Sequence, residues 1–212
     1  METASIVFSE LVNPLSYTDY KLLVDDLVAT QKTTGPEQTE EKIGFTKLNQ
    51  QRMKRVEKQF TLLPELSEIL QTQQTAWKWL VLSEAWCGDG AQLIPAISAI
   101  ADAAPFIELQ IVLRDENPEL MDTCLTNGSR SIPKLLCVDA VTGERIFTWG
   151  PRPASIQQQV IMFKAANPHA GHDELSAQLH MWYAKDRSQS LQQDLVMVFK
   201  KEIMERRIEA SV

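Results

Sequence analysis

Apolar and polar positions fall into blocks of different period along this chain. In the first third, apolar residues recur three and four positions apart. Tyr20, Leu23, Leu27 and Val28 form one stripe, which predicts a helix over residues 18–30 capped by Thr18. A second helix is predicted over 45–59, and Pro64, suited to a first helical turn, opens a third that runs to about residue 73. Between the first two, KTTGPEQTE (32–40) reads as a polar Gly-Pro linker. Residues 1–14 read as irregular, with one short extended piece at 6–8.

The pattern then changes. Residues 79–85 (WLVLSEA) are a short, bounded apolar run of the kind a buried strand presents, although period alone also admits a helix. Trp86-Cys87-Gly88-Asp89-Gly90 breaks the run. From Ala91 the spacing is helical, with Leu93, Ile94, Ile97, Ile100 and Ala101 on one face. A cysteine thus stands where a strand becomes the N-terminus of a helix, where unpaired amides and the helix dipole favour a thiolate. Further strands are predicted at 107–113, 134–138 and 144–149, the last returning antiparallel through a turn at 140–143. A helix from Pro118 to about Thr126 ends at Asn127-Gly128, two residues that tolerate left-handed geometry. Gly150-Pro151-Arg152-Pro153 halts the last strand. Ser155 with Gln158 reads as a capping box for a helix to about Ala166. Two more helices are predicted near 173–184 and 190–207, the latter with Leu191, Leu195, Val198, Phe199 and Ile203 as its apolar face.

Over residues 76–167, this order of elements resembles the thioredoxin-like superfamily. WCGDG stands where that family has Trp-Cys-Gly-x-Cys, Pro95 follows Cys87 by eight residues as the family's helix proline does, and Ile132-Pro133 precedes the next strand as its cis-proline does. The KTTG, RDEN and GPRP segments are similar to a bacterial branch of the family. The resemblance implies an α/β fold: a thioredoxin-like mixed sheet flanked by helices. A helical extension (1–75) would precede the core and another (168–212) would follow it, all in one compact unit. It also implies that Cys87 is the nucleophile, that Trp86, Gly88, Ile132 and Pro133 line a substrate groove with Pro133 cis, and that Asp89 and Gly90 modulate the thiol. Two positions depart from the family. Gly90 replaces the resolving cysteine, and Val81 replaces a buried acid six residues before Cys87. Gly90 marks either a lost cysteine or space for an external thiol. A dithiol cycle needs the second thiol to release substrate. The expected activity is therefore monothiol thiol–disulfide exchange through Cys87, on a protein or low-molecular-weight thiol/disulfide. The alternative is a redox-inactive peptide- or protein-binding module.

Composition narrows the partners. A net charge of -7 argues against a nucleic-acid surface, and no run is long enough for a membrane span. Three cysteines in no paired or metal spacing, with no basic-flanked leader, give a cytoplasmic expectation. No cofactor is expected; an iron–sulfur cluster of the monothiol glutaredoxin kind lacks its serine. The pattern specifies no oligomeric state. The helix terminus is worth about 0.3–1 kcal/mol, less than the ~1.4 kcal/mol of one pKa unit, so the expectation is a modestly activated thiol. Asp89 would oppose ionisation, and Arg130 is the cation expected near the Ile132-Pro133 loop. Cys124 is a candidate distant resolving thiol, whereas Cys137 reads as a small buried apolar residue. His169, His172, Asp173 and His180 do not share a metal-ligand spacing and read as surface or capping groups. Arg52, Lys54, Arg55 and Lys58 read as a solvated helix face.

Overall fold

The central apolar run forms β1 (Trp77–Ser83), starting and ending two residues earlier than its spacing suggests. In the computed structural model, which describes residues 5–72 and 75–209, β1 lies in the middle of a four-stranded sheet. It pairs in parallel with β2 (Ile107–Leu113) and antiparallel with β3 (Lys134–Asp139), and β3 carries the antiparallel edge strand β4 (Arg145–Trp149). The sheet order is β2-β1-β3-β4. Because both faces of β1 are covered, six of its seven residues are buried and its sequence does not alternate.

Among the described residues, eight α-helices surround the sheet: α1 (Tyr17–Ala29), α2 (Glu40–Gln59), α3 (Pro64–Thr72), α4 (Gly88–Asp102), α5 (Pro118–Asp122), α6 (Ala154–Ala166), α7 (His172–Asp186) and α8 (Gln189–Glu209). The chain is thus an α/β protein with a thioredoxin-like mixed sheet. Helix α8 belongs to the main core: Phe199 stacks on Trp77 and Trp79 and meets Phe147 edge-on. At about 25 cal/mol per Å² and 150–250 Å² per ring, each buried aromatic adds roughly 4–6 kcal/mol of transfer free energy. The C-terminal helix is therefore built into the sheet's packing.

Several local expectations are corrected by longer-range contacts. Ser16, not Thr18, caps α1 and accepts from the Asp19 amide at 3.1 Å, which turns Tyr20, Val24 and Leu27 inward in place of Val28. Helix α2 begins five residues early because Thr39 caps it. The supposed capping box at Ser155 is absent: Asp194 of α8 accepts from the Ala154 amide at 2.9 Å, and the Ser155 hydroxyl bonds Ser190. Helix α5 stops at Asp122, and residues 126–129 form a bridged turn with Asn127 and Gly128 at positive φ. In place of an extended piece at 6–8, Ile6 makes one backbone bond to Gly143 and Phe8–Glu10 is a 3₁₀ turn. The predicted ends of the third helix at residue 73 and of the irregular N-terminus at 1–4 lie outside the described residues.

The KTTG segment is not a solvated linker. Thr33 and Thr34 are buried; Thr33 bonds the Thr46 hydroxyl at 2.6 Å, and Thr34 accepts from the Ala85 amide at 2.9 Å. Gly35 has φ +80°, and a Cβ there would lie 2.6 Å from Asp115 Oδ2. The loop is folded against the turn that leaves β1.

Candidate functional site

Beyond Ser83 the chain turns through Glu84–Trp86, with the Cys87 amide donating to the Glu84 carbonyl at 3.0 Å, and enters α4 with Cys87 as N-cap. The sulfur takes the role a serine oxygen has at most caps: it accepts from the Gly90 amide at 3.3 Å. The thiol donates to the Ile132 carbonyl at 3.5 Å, next to the cis Ile132–Pro133 peptide that opens β3. Gly150–Pro151 is also cis. Trp86, Cys87, Gly88, Asp89 and Ile132 all line one groove of about 470 Å³. Pro133 and Gly90 are buried behind it.

The thiol is not the modestly activated group that its helix terminus suggests. Cys87 is 6% exposed, and burial pushes it up to about 12. The Asp89 carboxylate pushes the same way, and the Gly90 and Asp89 amides with the Ser83 hydroxyl only partly offset it. At pH 7 the thiol is therefore held in its protonated form. Desolvation outweighs the helix dipole because the sulfur faces packed side chains in place of water.

Gly90 supplies no open space either. A Cβ on it would come well within 3.0 Å of Ser83 Oγ, so the volume a side chain would need is already filled. The Ser83 hydroxyl favours ionisation of both Cys87 and Tyr20, and Tyr20 is itself raised by burial and by the charges of Cys87 and Glu84. The motif's inner face is therefore a buried polar cluster. Glu84, fully buried, accepts from the Asp115 amide at 2.8 Å and is raised by desolvation. It ties the turn to the segment following β2.

Asp89 is the most heavily bonded residue of the motif. It takes Arg152 Nε on both oxygens at 3.0 and 2.9 Å and Arg152 Nη2 at 2.7 Å, and it accepts the Tyr183 hydroxyl at 2.7 Å. Arg152 comes from the GPRP segment before α6, and Tyr183 from α7, so the entry to α6 and the middle of α7 are fastened to the cysteine turn. His180, one turn before Tyr183, sits over Gly88: a Cβ there would meet the imidazole at 2.9 Å. Its Nδ1 bonds Gln92 at 3.1 Å. Burial, followed by Arg52, Arg55 and Arg152, holds His180 down to about 4 from its ordinary 6.5.

This gives a pH expectation. The unfolded chain takes up the His180 proton near pH 6.5 and the folded chain only near 4. Stability contributed by the neutral imidazole is therefore present above 6.5 and lost as pH falls toward 4, a change of about 3 kcal/mol at most. Urea unfolding across this range should show that slope in the native sequence, and His180→Gln should flatten it.

The remaining sequence candidates separate. Arg130 lines the same groove, but its guanidinium is taken up by a bidentate pair with Asp122 at 2.6 Å and is not among the groups that shift the thiol. Cys124 donates to the Met121 and Leu120 carbonyls, its charged neighbours are Arg145, Lys134 and Asp122, and all three cysteines are free. Cys137 is fully buried. His169 and His172 are exposed, and no cluster of three or more metal-ligating side chains occurs among the described residues. The α2 basic residues are not one solvated face: Arg52 bonds Asn49 beside Gly88, and Arg55 bonds Gln92, while Lys54 points to Asp25. Trp86 lies between two cations, Lys42 at 4.6 Å and Arg114 at 4.9 Å from its ring. No helix among the described residues is long and apolar enough to cross a membrane.

A mixed four-stranded sheet, a cysteine capping the helix that follows β1, and a cis-proline facing it define a thioredoxin-like protein. Residues 35–167 match the family model described as thioredoxin, and the chain belongs to the thioredoxin family. Two solved structures share its fold. One is a protein of unknown function from Pseudomonas aeruginosa, 19% identical, with a TM-score of 0.54 over 73% of this chain and 85% of that one. The other is an HIV epitope-scaffold, also 19% identical, with a TM-score of 0.53 over 88% of this chain and 99% of that one. No curated protein matches the sequence.

Proposed function

We propose that this chain is a thioredoxin-fold peptide- or protein-binding module, soluble in the cytoplasm, whose cysteine is kept protonated. The observation that supports this reading best is a contrast of access. The groove over Trp86, Gly88 and Ile132 is open at about 470 Å³, yet the thiol at its floor is 6% exposed and fastened between the Gly90 amide and the Ile132 carbonyl. A binding cleft survives while the nucleophile is closed off. Bulky aromatic and aliphatic walls supply contact area, and the cis-proline loop fixes one side of the cleft.

A second reading is monothiol thiol–disulfide exchange, favoured by the amide that donates to the sulfur. In it the Cys87 thiolate attacks one sulfur of a disulfide, forming a mixed disulfide and expelling the other half as a thiolate. An external thiol then attacks the mixed disulfide, leaving a new disulfide and restoring Cys87. The two readings differ in the titration of Cys87. Alkylation of the intact protein followed by mass spectrometry, with Cys87→Ser as control, should give no midpoint below the free-thiol value of about 8.5. A midpoint clearly under that value would displace the binding module in favour of the monothiol enzyme.

A further inference from the structure

We infer that the groove takes an acidic peptide, an inference that rests on the groove's being a binding cleft. The chain as a whole is acidic, with 28 Asp and Glu against 21 Lys and Arg. Around this groove the balance reverses: Arg52, Arg114, Arg130, Arg152 and Lys164 line it, with Asp89 as the single carboxylate.

Three of these cations already have acidic partners. Arg152 holds Asp89, Arg114 holds Asp115 at 2.8 Å, and Arg130 holds Asp122 at 2.6 Å. Lys164 has no ion pair among the described residues, and neither does Arg52, which interacts with the Asp89 charge only at longer range and spends one N–H on the Asn49 side-chain oxygen at 2.7 Å. They come from different helices, α2 and α6, so a bound chain would meet two positive charges that no ion pair neutralises. His180 is held neutral mainly by burial, and Arg52, Arg55 and Arg152 add to that by disfavouring its proton. Cations lining a cleft with low-dielectric walls focus their potential into it.

The rest of the lining argues for a peptide over a bare anion. Phe45, Trp86, Ile132, Leu175 and Leu179 give the groove apolar area that a small inorganic anion leaves unused. The volume of about 470 Å³ falls in the range of clefts that enclose an organic ligand. A short segment with acidic side chains flanking an apolar one would satisfy both parts of the surface.

The test uses the full chain and two capped tetrapeptides, one carrying three glutamates around an isoleucine and the other three glutamines. Calorimetry at low salt should show the acidic peptide binding at least about tenfold more tightly, and about 0.3 M salt should close that gap. Lys164→Gln, exposed on α6, should weaken the acidic peptide roughly threefold, and Arg52→Gln with Lys164→Gln about tenfold. Lys200→Gln, at the Glu65 pair away from the groove, should change nothing. Circular dichroism checks folding; if the double variant unfolds, Lys164→Gln alone decides. Equal binding of both peptides, or no loss on Lys164→Gln, overturns the acidic preference and leaves the cleft reading standing. Binding of neither peptide overturns both.

Discussion

Removing the charge of Asp89 should release the Cys87 thiol while loosening the C-terminal helices. Asp89→Asn keeps an oxygen for Arg152 and Tyr183 but removes the carboxylate that opposes thiolate formation. The alkylation midpoint of Cys87 is therefore expected to fall from about 12, while staying above the ordinary thiol value because burial, the larger cause, is unchanged. Asp89→Ala removes the acceptors altogether. It leaves Arg152 and the buried Tyr183 hydroxyl without their partner, and loss of one member of a largely buried ion pair costs about 3 kcal/mol. Urea denaturation should show that loss for Asp89→Ala and a smaller one for Asp89→Asn. The control is Arg152→Met: it leaves Asp89 without its guanidinium, so Cys87 should become harder to ionise while stability also falls. If both Asp89 variants keep the native alkylation midpoint, Asp89 is not the group that opposes the thiol.

This pair also marks the boundary of what the sequence discloses. The motif WCGDG with Pro95 and Ile132-Pro133 was sufficient for the fold, because strand, turn and amphipathic helix are written in local periods. Ile107–Leu113 could be read to the residue for that reason. What depends on distant contacts is not legible in those periods. Thr34 looks like linker until Ala85 is placed beside it, and Ser155 looks like a helix cap until α8 brings Asp194 to the same turn. Each of these side chains has an ordinary local use, and a distant partner takes it over: Ala85 for Thr34 and Ser190 for Ser155.

The site follows the same rule. Cys87, Trp86, Gly88 and Ile132 could be named from the motif, and they do meet in one groove. Arg152, Tyr183 and His180 could not, because their only sequence signal is a GPRP segment and a histidine two turns into an amphipathic helix. Thiol reactivity is hidden in the sequence for a related reason. A helix terminus can be read from spacing, but the desolvation that opposes it comes from burial in the fold, here in the apolar cluster that Cys87 shares with Leu80, Leu82, Ile132 and Leu136. The sign of a pKa shift at a helix N-cap is thus a tertiary property.

Restoring the family's second thiol should fail in the native background and succeed once one atom is removed. In Gly90→Cys the new Cβ would be 3.4 Å from Cys87 Cβ, at the short end of the spacing that disulfides adopt, but it would drive into Ser83 Oγ. Overpacking a buried site costs about 1–3 kcal/mol, against up to about 1 kcal/mol recovered from replacing a helical glycine. Gly90→Cys is expected to lose about 1–2 kcal/mol in urea and to resist oxidation. Ser83→Ala with Gly90→Cys removes the obstructing hydroxyl, recovers most of that stability, and on mild oxidation should lose two alkylatable thiols by mass spectrometry. Ser83→Ala alone should leave the three native cysteines free. A single Gly90→Cys variant that folds with native stability and closes the disulfide unaided would mean that the Ser83 side chain yields easily. Gly90 would then be a replaced cysteine and nothing more. Resistance in the single variant and closure in the double would make Ser83 and Gly90 a matched pair, the serine filling the volume that the missing thiol side chain would otherwise occupy.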